Sequence, residues 1–101
     1  MGIFDLPIKQ FVNEISVLPK ADIATLINDG GEFKIELGRR YRLQYMNLKR
    51  DKSRYYRRGD IESHKITSEE MDKIYDINKK AVLDLDNKIA VLKNRLRNTK
   101  A

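Results

Sequence analysis

The chain has 101 residues, 41% hydrophobic and 36% charged, with 21 Lys and Arg against 15 Asp and Glu for a net charge of +6, and no cysteine. That length suits one domain with one modest core, and the missing cysteine excludes disulfides, thiolate catalysis and cysteine-ligated zinc. No apolar run approaches the roughly 18 residues of a membrane span, and Met1 to Leu6 lacks a basic n-region, so a cytoplasmic protein with no membrane partner is expected.

Pro7 stands near the start of a first helix, in which Ile8, Phe11, Val12 and Ile15 share one face, and Pro19 ends it. Lys20 to Asn28 reads as a second short helix with Ile23, Leu26 and Ile27 on one side and Gly30-Gly31 as its stop. From Glu32 the period changes to alternation: Phe33, Ile35 and Leu37 point one way and Glu32, Lys34 and Glu36 the other, as in a half-buried strand. Gly38 allows a turn, and Tyr41, Leu43 and Tyr45 continue on an antiparallel partner. Lys49 to Ser53 suits a loop, Arg54 to Arg58 a third strand, and Gly59-Asp60 another turn before Ile61 to Ile66. A rival assignment makes Arg39 to Tyr56 one basic helix, because Tyr41, Tyr45, Leu48 and Tyr55 also lie near helical offsets; the tyrosines and the alternation favour strands.

The final helix is expected over Thr67 to Asn98. In Thr67-Ser68-Glu69-Glu70, Thr67 and Glu70 have capping-box spacing, and Ile66 and Met71 occupy the positions of a hydrophobic staple. Glu69, Glu70 and Asp72 crowd the first turn and Lys93, Arg95, Arg97 and Lys100 the end, matching the helix dipole. Met71, Tyr75, Asn78, Val82, Leu85, Ile89, Leu92 and Leu96 follow one another at alternating spacings of four and three, a heptad pattern. The interface expected from it is Val82, Leu85, Ile89, Leu92 and Leu96, packed on a second copy in a homodimer, on another partner, or on the domain itself. The expected fold class is therefore α+β: two short N-terminal helices, a small antiparallel sheet as hairpin or meander, and a long C-terminal amphipathic helix. Residues 1–66 form a compact basic part and 67–101 the helix, within a single domain.

His64 is the only histidine, Asp84 and Asp86 are two apart and so do not share a helix face, and no Gly-rich phosphate loop or metal-ligand cluster is present. No catalytic residue, metal or cofactor is expected; only metal-free RNA cleavage by Arg and Tyr stays open. The charge is concentrated instead. Arg39, Arg40, Arg42, Lys49, Arg50, Lys52, Arg54, Arg57 and Arg58 face a single acid, Asp51, so this segment carries +8 and the remainder −2. Four of the five tyrosines (Tyr41, Tyr45, Tyr55, Tyr56) lie in the same segment. Guanidinium groups bind phosphate bidentately, and exposed tyrosines stack on bases for ~1–3 kcal/mol each. Tyr41 and Tyr45 suit the core. On a strand, Tyr55 and Tyr56 face opposite sides, one for the core and one for stacking. The composition points to a small basic regulatory protein binding nucleic acid, DNA or RNA. The alternative is a protein-interaction factor, an inhibitor or assembly adaptor, on an acidic partner surface.

The run FVNEISVLPKADIATL from Phe11 to Leu26 resembles the helical pair of RelE/ParE-type toxins, and EFKIELGRRYRLQYM from Glu32 to Met46 resembles their central hairpin. The resemblance, over about residues 11–46, implies a compact α+β fold and, as a third reading, ribosome-associated mRNA cleavage. It assigns no catalytic residue in this chain.

Overall fold

A computed structural model describes residues 2–98. It consists of a 3₁₀ turn, Ile3–Asp5, and three helices: α1 (Ile8–Ile15), α2 (Lys20–Arg58) and α3 (Ile61–Asn98). No strand occurs among the described residues. The expected α+β class is thus replaced by an all-helical one. Both strands of the expected hairpin, the Lys49 to Ser53 loop and the Arg54 to Arg58 strand lie inside α2, and Gly30-Gly31 does not end the second helix. For Arg39 to Tyr56 the rival helical assignment is the one observed.

The physical reason lies in the side chains that become buried. Ile23, Gly30, Leu37, Tyr41, Tyr45, Leu48 and Tyr55 are buried or half-buried, at spacings of three, four or seven, a helical seam. Phe33 and Ile35, two members of the expected strand face, are 52% and 65% exposed. Leu, Lys, Arg, Glu, Gln and Met dominate this stretch and propagate helix well. Glu36 also pairs with Arg39 at 3.5 Å and Arg40 at 3.2 Å, the i,i+3 and i,i+4 contacts that only a helix provides.

The chain forms two compact units, one of the described residues through Ile35 together with those from Val82 onward, the other Glu36–Ala81. In the first unit, Phe11 and Ile15 of α1, Ile23 of α2 and Leu92 of α3 make a fully buried cluster, flanked by Ile3, Phe4, Leu6, Leu18, Leu26 and Leu96. Leu85 is buried too, and Val82, Ile89 and Leu96 are half-buried. The final helix's expected interface residues therefore pack within the chain. Gly30 permits a close approach of α2 to α3: a Cβ there would lie 2.9 Å from Ile89 Cγ1 and 3.2 Å from Phe4 Cζ.

Lys88 is 2% exposed, and its Nζ donates to the Phe4 carbonyl at 2.6 Å and to Asp84 Oδ2 at 2.7 Å while lying 5.9 Å from the centroid of the Phe11 ring. One buried ammonium thus ties the 3₁₀ turn to α3, with its hydrogen-bonding capacity largely met. Arg95 Nη2 donates to the Ser16 carbonyl at 2.8 Å, covering the C-terminal end of α1.

In the second unit the chain reverses at Gly59-Asp60, the turn expected there. Gly59 has φ +71°; its N–H donates to the Tyr56 carbonyl at 3.1 Å and that of Asp60 to the Tyr55 carbonyl at 3.0 Å, the Schellman pattern that closes α2. Asp60 Oδ1 then accepts the Ser63 N–H at 3.1 Å and caps α3. The helix accordingly starts at Ile61, not Thr67. Thr67 is 5% exposed, and its hydroxyl donates to the Ser63 carbonyl at 2.8 Å, so the expected capping box, staple and first-turn acids are mid-helix residues. A glycine stop followed directly by a strong cap supplies an earlier start. Among the described residues, no helix is long and apolar enough to cross a membrane.

Substitutions at the glycines and at Lys88 test this packing. Gly31→Ala, with no atom within 4 Å of the new Cβ, stabilises by about 0.5–1 kcal/mol in chemical denaturation through helix propensity. Gly30→Ala lowers stability, because overpacking costs about 1–3 kcal/mol there. Lys88→Ala costs about 1.5–3 kcal/mol for its charged hydrogen bonds, whereas Lys93→Ala, at an exposed site, stays within about 0.5 kcal/mol.

Candidate nucleic-acid interface

All nine basic residues singled out in the sequence stand on α2 in the second unit. That unit has thirteen Lys and Arg against eight Asp and Glu, a net +5, while the other described residues have seven of each. The folded chain therefore segregates its charge.

Successive residues on a helix turn by about 100°. Tyr41, Tyr45, Leu48 and Tyr55 take the inward face, so Arg39, Arg50, Arg54 and Arg57 fall opposite them, with Arg40 and Arg58 on one flank and Arg42 and Lys49 on the other. All of these cations are exposed, and Lys52 is half-buried. Arg50, Arg54, Arg57 and Arg58 surround one recess of about 280 Å³. The ion pairs within 4 Å among the described residues are Lys34–Asp86, Arg39–Glu36, Arg40–Glu36 and Lys88–Asp84, and none involves this quartet. Hydrogen bonds from the backbone and side chain of Ser63 hold the Asp60 carboxyl below the ordinary carboxylate range; Arg58 pushes the same way, and partial desolvation opposes.

A larger groove of about 550 Å³ opens between the end of α2 and the start of α3. Tyr45, Lys49, Lys52, Ser53, Tyr56 and Arg57 come from α2, and His64 and Met71 from α3. Tyr56 is 75% exposed, and its ring centroid lies 5.7 Å from that of His64 with the planes inclined at 50°. Tyr55 is half-buried. The two tyrosines thus differ in exposure because of the helical step, not because of strand alternation. Tyr41 packs with Tyr45 at 5.8 Å and Tyr75 at 6.4 Å. Burial, with these two phenols nearby, pushes the Tyr41 hydroxyl above the usual tyrosine range.

His64, Ser53 and Met71 were not among the residues expected at the site. Nothing short of the Gly59 turn pairs residue 56 with residue 64, so composition alone does not reveal them. Among the described residues, no group of three or more His, Cys, Asp or Glu is placed to hold a metal. Comparison with protein-family models, with curated proteins and with solved structures finds no match to this chain.

The turn that orients these side chains has a pH signature. The folded-state pKa of Asp60 lies below its unfolded value, so its contribution is present above the unfolded pKa and disappears as pH falls through the folded one. Asp60→Ala therefore lowers the thermal midpoint at neutral pH, and its gap from wild type narrows below about pH 3.9. Melts across that range check it; a gap unchanged in acid removes any role for the carboxylate charge.

Proposed function

We propose that the protein binds nucleic acid through the outer face of α2 in the second unit. The observation that carries this reading is the arginine quartet: Arg50, Arg54, Arg57 and Arg58 share one recess, and none is ion-paired. Four guanidinium groups held together with no ion pair within 4 Å, and with only the Asp60 carboxylate acting on Arg58, raise the local potential and attract a polyanion. At about 1.5 Å of rise per residue, Arg39 and Arg57 are ~27 Å apart along the helix, a track that serves several consecutive phosphates. Exposed arginines on a rigid helix supply bidentate donors at low ordering cost.

A second reading has its own support. Leu43 and Met46, 61% and 57% exposed, lie on the same outer face between Arg39 and Arg50. Apolar side chains rimmed by arginine suit an acidic partner protein.

A salt titration separates the two. Replacing Arg50, Arg54 and Arg57 together by Gln flattens the slope of log affinity against log salt by about 2–3, since each phosphate that an arginine neutralises contributes ~0.7–0.9 to it. An unchanged slope overturns the nucleic-acid interface. Recovery of one partner protein that survives nuclease treatment, with no retained nucleic acid, favours the second reading.

A further inference from the structure

Resting on the interface above, we propose that the groove around Tyr56 is a base-stacking subsite that selects single-stranded nucleic acid. The argument starts from charge and exposure. The groove's charged lining is Lys49, Lys52 and Arg57, with no acid among the residues that form it, so it accepts the phosphates of a strand. Tyr56 is 75% exposed at its rim, far more than any packing role requires. Its neighbour His64 is tilted by 50° and therefore does not close a parallel stack over the tyrosine ring. An exposed ring beside three cations is the arrangement that single strands use, a backbone track with an aromatic platform.

Arg57 belongs to both the groove and the arginine recess. A strand following the recess thus passes directly to Tyr56 without leaving positive potential. A duplex gains nothing from this platform, since each of its bases is already stacked and extruding one costs a few kcal/mol. The recess holds the backbone of either form, and Tyr56 distinguishes them.

The test measures anisotropy of a labelled oligothymidylate and of a blunt duplex at one salt concentration, with wild type, Tyr56→Ala and Tyr56→Phe. Tyr56→Ala weakens oligothymidylate binding about 5- to 160-fold, the range of one lost base stack. It leaves duplex affinity unchanged, and Tyr56→Phe retains single-strand binding because the ring remains. Thermal melts matching wild type accompany these values, as the exposure of Tyr56 implies. Equal binding of oligothymidylate by wild type and Tyr56→Ala overturns the subsite, as does an equal loss for both polymers. In those outcomes the arginine interface stands if its salt slope still depends on Arg50, Arg54 and Arg57. Failure of the wild-type protein to bind either polymer overturns both proposals together.

Discussion

The second unit depends on the reversal at Gly59-Asp60. Only glycine adopts φ +71° there without a Cβ penalty, and that conformation lets two N–H groups close the end of α2. Asp60 opens α3 immediately afterwards. With no residues to spare in the connection, the helices run antiparallel as neighbours, and the inward register follows: Tyr41 meets Tyr75, and Tyr56 meets His64. The groove exists because of this register. A helix beginning at Thr67 would have left His64 in a loop.

The first unit solves a different problem, the attachment of a short N-terminal segment to two long helices. Phe11 and Ile15 supply the apolar part of that attachment. Lys88 and Arg95 supply the polar part, each reaching from α3 to a backbone carbonyl in the N-terminal segment. Removing a lysine from water is costly, and the cost is met by two short hydrogen bonds and an aromatic ring. Gly30 belongs to the same arrangement, since any side chain there would displace Ile89 or Phe4.

The basic face of α2 works against helix stability. Arg50 and Arg54, and Arg54 and Arg58, are i,i+4 neighbours of like charge, each pair unfavourable by about 0.2–0.5 kcal/mol. Acids placed four residues away, as Glu36 is for Arg40, would relieve the repulsion; around the quartet there is no such pairing. The quartet thus breaks a local rule on an exposed face, relieved in part by the Asp60 carboxylate acting on Arg58.

By itself the sequence determined the position of α1, the turn at Gly59-Asp60, the heptad spacing in the last third of the chain and the clustering of cations between Arg39 and Arg58. These depend on neighbours within a few residues, where proline, glycine and periodicity act directly. Tertiary structure decided the state of residues 32–58. Phe33, Ile35 and Leu37 alternate, and Tyr41, Tyr45, Leu48 and Tyr55 also fit a helix, so local pattern supports both periods. What decides between the periods is burial against α3, because a helix is stabilised by the seam it covers. The same long-range packing explains Gly30, which reads locally as a stop and serves in the fold as a place where α2 can lie close against Ile89 of α3.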